Sequence, residues 1–148
     1  MLKSLLRRLA DRPENDGPLP KDDERTAVAA LLVLAAHADH SYEESERAQI
    51  EGVLAARYGL DAAAARALRE EGEAAEAAAS DMYRFTSLIK KGVPLEERAA
   101  VVEALWRVVL ADSEREAHEE AFLRRVTDLL GLDPRESIEA RRRVQTES

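Results

Sequence analysis

From Arg25 onward, apolar residues recur at the three- and four-residue spacing of an α-helix, and no segment shows the strict alternation of a strand. Two such sets are Ile50, Val53 and Leu54, and Phe122, Val126, Leu129 and Leu130. We therefore predict an all-α helical bundle, the core of which these residues face. The predicted helices cover about residues 23–38, 43–58, 62–79, 81–91, 94–110, 117–130 and 134–143.

Several helix ends carry residues that favour a stop or a start. Gly59 suits the position just after a helix, where a left-handed backbone is common. Asp61 and Asp133 each follow Gly-Leu and can cap the next helix through a side-chain oxygen. Pro94 and Pro134 fit a first helical turn, where a missing N–H does no harm.

The few aromatic residues are expected to fill the core or its edge. Aromatics make up 4% of the chain, so most of the apolar content comes from alanine and leucine. The residues expected at the core or its edge are Tyr83, Phe85 and Trp106.

Two acidic segments repeat the same pattern 73 residues apart, HADHSYEESE at residues 37–46 and ADSEREAHEE at 111–120. Both read Ala-Asp-x-x-x-Glu-x-x-Glu, and apolar helix positions follow in both. Each segment is then followed by Gly-Leu-Asp, at 59–61 and at 131–133, after a one-residue slip. The pattern predicts a duplicated helical hairpin, with residues 62–110 joining the two copies and packing between the acidic turns.

The acidic spacing allows two interpretations. Carboxylates three apart share a helix face, so each segment can direct three carboxylates at one point, as oxygen ligands for Ca²⁺ or Mg²⁺. The six candidate ligands are Asp39, Glu43, Glu46, Asp112, Glu116 and Glu119. The nearby His37 and His118 would admit Zn²⁺ as well. Alternatively the acids only start helices, because Ser41-x-x-Glu44 and Ser113-x-x-Glu116 match a capping box.

The overall charge and composition exclude several classes of protein. A net charge of −8 argues against a nucleic-acid-binding protein, which normally has a basic face. The chain has no cysteine, so disulfides and thiolate chemistry are excluded. No apolar run approaches the roughly 20 residues needed to cross a bilayer, and no signal peptide is recognisable. These features predict a cytoplasmic protein.

The sequence divides into three parts, at residues 1–24, 25–144 and 145–148. In the first part, residues 2–10 form a short amphipathic helix pattern with leucines on one face and Lys3, Arg7 and Arg8 on the other. A proline-rich linker follows it. Residues 25–144 form the helical domain, and 145–148 are a tail.

Three segments of the chain resemble the TerB family of tellurite-resistance-associated proteins, in its small stand-alone bacterial branch. They are AAHADHSYEESERAQIEGVLAARYGL, DMYRFTSLIKKGVPLEERAAVVEALWRVVLADSEREAHEEAFLRRVTDLLGL and the closing IEARRRV. The resemblance covers about residues 25–144. The family pattern has Ala-Asp-Gly at the start of each acidic turn. Asp39 and Asp112 match its Asp, whereas His40 and Ser113 replace its Gly.

The resemblance implies an all-α fold of two overlapping bundles, with acidic turns that bind a divalent metal. Glu43 and Glu116 match an acid that follows in the family pattern, and Glu46 and Glu119 match its helix Glu. It also implies a role in metal or chemical stress near the membrane, beside an integral membrane partner of the TerC type. We therefore expect a cation-binding module of a tellurite-resistance-type complex, at the inner membrane face. The alternative is a scaffolding bundle whose acids only cap helices.

An enzyme is the third and least favoured hypothesis. The sequence has no Gly-rich phosphate loop and no recognisable nucleophile motif, so we expect neither an organic cofactor nor catalysis. The HEE at 118–120 is not HExxH, since Phe122 stands four residues after His118. The Glu-x-x-His spacing of a di-iron bundle is absent from both acidic segments.

The segment 2–10 generates the first testable prediction, because a helix this short is marginal in water and needs a surface to fold against. A basic amphipathic segment suits an anionic lipid surface, and prolines 13, 18 and 20 would serve as its tether. The segment either docks onto its own bundle or contacts the membrane; in the second case the full chain floats with anionic liposomes and a chain beginning at Arg25 does not. Equal, negligible flotation of both, with a lower melting temperature for the shorter chain, would place the segment on the bundle instead.

Overall fold

The computed structural model describes residues 23–37, 42–79, 81–111 and 117–147. Within those ranges the chain forms seven α-helices and no β-strand, which confirms the all-α prediction. A 3₁₀ turn, Leu95–Glu97, precedes the fifth helix. The helices are α1 Asp23–His37, α2 Glu44–Tyr58, α3 Ala62–Ala78, α4 Met82–Gly92, α5 Arg98–Ala111, α6 Ala117–Leu129 and α7 Pro134–Thr146.

Helices α2 and α6 end at glycines that adopt the left-handed conformation. Gly59 and Gly131 have φ values of 65° and 79°, which residues with a Cβ rarely adopt. After the first glycine, the N–H of Leu60 donates to the carbonyl of Ala55 at 3.1 Å, and the equivalent bond after Gly131 measures 3.0 Å. Both helices therefore end in the same Schellman-type turn.

The aspartates that follow these turns start the next helices. The side chain of Asp61 accepts a hydrogen bond from the N–H of Ala64 at 2.8 Å. Asp133 accepts one from the N–H of Arg135, also at 2.8 Å, and Pro134 is the first residue of α7. The predicted caps at Asp61 and Asp133 are thus confirmed.

Buried residues of α1 correspond to buried residues of α5 at the same 73-residue offset that relates the acidic segments. Helix α1 buries Val28, Ala29, Leu31, Leu32, Val33, Ala35 and Ala36, and α5 buries Val101, Val102, Ala104, Leu105, Trp106, Val108 and Val109. Helices α3 and α7 also correspond, because each follows a Gly-Leu-Asp corner. The repeated unit is therefore three helices, α1–α2–α3 and α5–α6–α7, and only α4 lies between the copies. The expectation that all of 62–110 joins the copies was wrong, because α3 and α5 belong to the copies themselves.

Helix α1 is the central element of the bundle, since it packs against α2, α3, α4 and α5. Helix α3 approaches α1 closely at Gly72, where an added Cβ would lie 2.6 Å from the Cβ of Ala29 and 2.7 Å from its carbonyl carbon. Both distances are far below van der Waals contact. The two backbones can pack this closely because one residue lacks a side chain and the other has only a methyl group.

The side chain of Arg98, at the start of α5, holds the ends of two other helices. Its Nε donates to the carbonyl of Val93 at 2.9 Å, and its Nη2 to that of Lys90 at 3.2 Å, both at the end of α4. Its Nη1 donates to the carbonyl of Leu130, just after α6, at 3.0 Å. One guanidinium thereby satisfies three carbonyls that their own helices leave without intrahelical partners.

Two of the three aromatic predictions are confirmed. Phe85 and Trp106 are buried, and the indole N–H of Trp106 donates to the Ser137 hydroxyl at 3.2 Å. The prediction for Tyr83 was wrong, because this side chain is 67% exposed. Tyr83 lies two residues before Phe85 on α4 and therefore on the opposite side of the helix.

Two helix boundaries also differ from the prediction. The predicted helix at 94–110 begins instead with the 3₁₀ turn, and α5 itself starts at Arg98. Helix α7 continues to Thr146, beyond the predicted end at 143. Ion pairs Arg143–Glu103 and Arg107–Glu147 tie this last turn to α5. The N-terminal segment 2–10 and most of the linker lie outside the described residues.

The close approach at Gly72 predicts a specific loss of stability. We expect Gly72→Ala to lower the free energy of unfolding by about 1–3 kcal/mol, because the new methyl overlaps the α1 backbone. Gly52→Ala is the matched control: Gly52 is exposed within α2, and a Cβ there would meet nothing within 4 Å. This control should raise the stability by up to about 1 kcal/mol through helix propensity. Chemical denaturation measures both, and a stabilised Gly72→Ala protein would contradict the packing at this point.

Candidate functional site

The start of α2 carries two of the predicted cation ligands. Glu43 has extended backbone geometry and immediately precedes the helix. The Glu46 Oε1 atom accepts a hydrogen bond from the N–H of Glu43 at 2.8 Å, which is half of a capping box. The sequence predicted the capping box at Ser41 and Glu44, two residues before its position in the structure. Glu44 is the first helical residue, so its side chain does not stand at the third helical position that a capping box requires. Ser41 itself lies outside the described residues.

The rings on either side of residues 38–41 touch each other. His37 ends α1 and Tyr42 precedes α2, and their ring centroids lie 4.6 Å apart in an edge-to-face arrangement. The Nδ1 atom of His37 lies 3.3 Å from Oε1 of Glu76 on α3. The two ends of this connection are therefore held together and beside α3.

A polar network then joins Tyr42 to α3. The Tyr42 hydroxyl donates to Oε2 of Glu73 at 2.5 Å, and Nη1 of Arg69 donates to the same oxygen at 2.5 Å. The Nε atom of Arg69 donates to Glu51 of α2 at 2.7 Å. On the other side, Nη1 of Arg47 donates to the carbonyl of Tyr42 at 3.2 Å. We call Tyr42, Glu51, Arg69 and Glu73 the tyrosine network.

The contacts within the network shift the pKa values of Tyr42 and Glu73. Burial and the hydrogen bond to Glu73 raise the pKa of the Tyr42 phenol well above its ordinary value. For Glu73, burial acts to raise the pKa, but the hydrogen bonds from Tyr42 and Arg69 outweigh it and lower the pKa below its ordinary value. At neutral pH the Tyr42 phenol is therefore neutral, the Glu73 carboxylate is ionised and the Arg69 guanidinium is charged.

The second acidic segment is described only from its helix onward. Glu119 stands in the first turn of α6, at the position that corresponds to Glu46 in α2, and is 2% exposed. A buried carboxylate at the start of a helix is favoured by the positive end of the helix dipole. Glu46, by contrast, is half-buried. The side chain of His118 is not described.

Of the six predicted cation ligands, three are described. Asp39, Asp112 and Glu116 lie outside the described residues, whereas Glu43, Glu46 and Glu119 lie within them. In the part of the chain that the structure covers, no three His, Asp or Glu side chains are grouped so as to hold a metal ion. The two cation sites therefore stay predictions.

Sequence reasoning missed the tyrosine network, although one signal for it exists. Arg69 occupies the apolar stripe of α3, together with the buried Ala65, Leu68 and Gly72. An arginine in such a stripe is almost never fully buried unless carboxylates pair with it. The sequence alone does not say which carboxylates those are, because Glu51 and Glu73 come from different helices.

One family model matches this chain, that of the tellurite resistance protein TerB, over residues 25–142. That range covers most of the chain and all but the ends of the seven-helix bundle. The chain belongs to the TerB family. No curated protein and no solved structure gave a match in the other comparisons.

The family match confirms the resemblance, and the all-α bundle of the described residues agrees with it. The match begins at Arg25 of α1 and includes both acidic segments. Among the described helices of this TerB protein, none is long and apolar enough to span a membrane.

The depressed pKa of Glu73 predicts a pH-dependent contribution to stability. Because its folded-state pKa lies below the ordinary value, Glu73 stabilises the protein above pH 4.5, and this contribution is lost as pH falls through the folded-state pKa. We expect Glu73→Gln to lower the free energy of unfolding at pH 7 by about 1–2 kcal/mol. The two proteins should converge in acid.

The matched control is Glu70→Gln on the same helix. Glu70 is mostly exposed and lies 4.0 Å from Arg69, so its loss should change stability little. Urea unfolding at a series of pH values measures all three proteins. A Glu73→Gln deficit that persists unchanged at low pH would show that the charge of Glu73 is not its cause.

Proposed function

We propose that this TerB protein binds a divalent cation through its two acidic turns and acts as a module of a metal- or chemical-stress complex near the membrane. The observation that carries the proposal is the repeated three-helix unit. Both acidic segments lie between the first and second helices of their unit, and Glu46 and Glu119 stand at corresponding helix starts. Two equivalent cation sites require carboxylates at corresponding positions, and the duplicated units supply them.

The donor atoms favour a hard cation. Each site would take one aspartate and two glutamates, that is, Asp39, Glu43 and Glu46 in the first turn and Asp112, Glu116 and Glu119 in the second. Oxygen donors of this kind suit Ca²⁺ or Mg²⁺. Zn²⁺ is less favoured at the first turn, because Nδ1 of His37 already faces Glu76 at 3.3 Å.

The capping interaction limits which carboxylate atoms are available. Oε1 of Glu46 already accepts the N–H of Glu43, so the cation would be bound through Oε2. A carboxylate can bond a backbone N–H through one oxygen and a cation through the other. The cap would then orient the ligand, and the two uses of Glu46 are compatible.

The capping contact also favours a second candidate function, a scaffolding bundle without cations. In that case Glu43 and Glu46 serve only to start α2, and acids near helix starts stabilise the dipole by roughly 0.3–1 kcal/mol each. The protein would then act through its surface alone. The cation titration described below distinguishes the two functions.

The proposed partner is an integral membrane protein of the TerC type, and residues 2–10 are proposed to touch the inner membrane face. The basic amphipathic pattern of this segment supports the contact, because basic residues are attracted to an anionic lipid surface. The bundle carries much of the net charge of −8, so it would not supply that attraction itself. A pull-down from the native host with and without a chelator tests the partner. Recovery of the same proteins under both conditions would separate partner binding from the cation.

The cation proposal predicts a difference between wild type and the double variant Asp39→Asn, Asp112→Asn. We expect Ca²⁺ or Mg²⁺ to raise the melting temperature of wild type and to have little effect on the variant, because binding to the folded state stabilises it. Without cation the two should have similar stability. Calorimetric titration with Ca²⁺, Mg²⁺, Zn²⁺ and Mn²⁺ measures the affinities.

A charge-matched control removes two acids elsewhere. Asp128→Asn with Glu139→Gln neutralises two exposed residues of α6 and α7, so the net charge changes equally. This control should bind cations as wild type does. If wild type and both variants respond identically to every cation, the acidic turns only start helices and the scaffolding function stands.

A further inference from the structure

Helix α4 differs from the other six helices that the structure describes, because it contains cations and no acid. Its charged residues are Arg84, Lys90 and Lys91, whereas each of the other six helices contains at least one Asp or Glu. Helix α4 also lies between the two repeated units and belongs to neither. Its positive charge is therefore a local feature of a chain whose net charge is −8.

The cations of α4 have no partners within the described part of the bundle. In the described ranges, eight Lys or Arg side chains take part in no ion pair, hydrogen bond or ring contact. They are Arg66, Arg84, Lys90, Lys91, Arg124, Arg125, Arg135 and Arg142. Five of the eight belong to α4 and α6, which pack against each other. Positive charge that is not neutralised is thus concentrated on these two neighbouring helices.

The exposed side chains of α4 form one stripe along the helix. Tyr83 is 67% exposed, and Lys90 and Lys91, seven and eight residues later, are also exposed. This spacing places all three on one side of the helix, over a length of about 12 Å. Arg84 lies beside Tyr83 and is half-buried. We call Tyr83, Arg84, Lys90 and Lys91 the α4 face.

The lysine end of the α4 face adjoins the end of α6. The guanidinium of Arg98 donates to the carbonyl of Lys90 at 3.2 Å and to that of Leu130 at 3.0 Å, so these two helix ends lie side by side. Arg124 and Arg125 are exposed on α6, within two turns of that end. They extend the positively charged surface from α4 onto α6.

The helix dipole accounts for only part of this arrangement. Lys90 and Lys91 stand in the last turn of α4, where the negative end of the dipole stabilises cations. Arg84 is the third residue of the helix, where the positive end of the dipole opposes a cation. Tyr83 exposes a large ring to water. The stability of the helix therefore does not explain Arg84 and Tyr83.

We propose that the α4 face, extended by Arg124 and Arg125, is a docking surface for an acidic segment of a partner protein. Carboxylates of the segment would pair with the lysines and arginines, and an apolar side chain of the segment would pack on Tyr83. Tyrosine and arginine are among the residues that contribute most to protein interfaces. The inference goes beyond the proposed function, because it does not depend on a bound cation.

The size and surroundings of the α4 face favour a narrow partner. Exposed acids follow on the adjoining elements, Glu96 and Glu97 directly after α4 and Asp128 on α6. A flat bilayer or a nucleic-acid backbone would meet these acids as well as the cations, whereas a single peptide segment can lie along the cations alone. Complementary charges at this scale give specificity and fast association.

The experiment measures binding of the full chain to a fluorescein-labelled acidic peptide, EELLEELLEELL, by fluorescence anisotropy without divalent cations. The comparison probes are the same peptide with Lys in place of Glu, vesicles that contain phosphatidylglycerol, and a single-stranded oligonucleotide. Two variants change the face: Lys90→Gln with Lys91→Gln, and Tyr83→Ser. The matched control is Arg135→Gln with Arg142→Gln, which removes two exposed cations of α7 that have no partner in the described ranges.

We expect wild type to bind the acidic peptide and not the basic one, with an affinity that falls as salt rises. The lysine variant and Tyr83→Ser should each raise the dissociation constant about 5-fold, and the α7 control should leave it nearly unchanged. All variants should melt close to wild type, because the altered side chains are exposed.

Three results would overturn the inference. The first is no binding of the acidic peptide to wild type, and the second is equal weakening in the α7 control. The third is equal or tighter binding to the vesicles or the oligonucleotide with the same dependence on Lys90 and Lys91, which would assign the face to lipid or nucleic acid. Because no divalent cation is present, none of these results bears on the cation sites of the proposed function.

Discussion

The fold depends on the close contact between α1 and α3. Helix α1 is apolar on nearly every side and is buried by four other helices, so it needs neighbours that can approach its backbone. Gly72 provides that approach against Ala29. The same contact fixes α3 beside the end of α1, and α3 carries the glutamates that hold His37 and Tyr42. Packing in the core thus determines where His37 and Tyr42, the described residues on either side of 38–41, are held.

Much of the fold was predictable because the signals for it are local. Helical spacing, the glycine stops and the aspartate caps act over a few residues, and the structure confirms them at Gly59, Asp61 and Asp133. The error at Tyr83 has a different origin. A large aromatic residue favours burial, but the face of α4 that reaches the core is decided by packing against other helices.

The candidate site was predictable only in part, for the same physical reason. The duplicated acidic pattern is visible in the sequence, and its common place in two repeated units follows from local helix boundaries. The tyrosine network depends on contacts between residues 31 and 18 positions apart, such as Tyr42 with Glu73 and Arg69 with Glu51. No local pattern specifies such pairs, so the tyrosine network emerges only from the fold.

Packing of α1 on α5 couples the two copies, and Arg98 fastens the connecting helix α4 to the second copy. A chain built from two copies of a three-helix unit could open one copy while the other stays closed. Here a single side chain at the start of the second copy holds the carbonyl ends of α4 and α6, and α1 of the first copy packs directly on α5. Opening either copy would therefore break contacts of both, and we expect the two halves to melt in one cooperative transition.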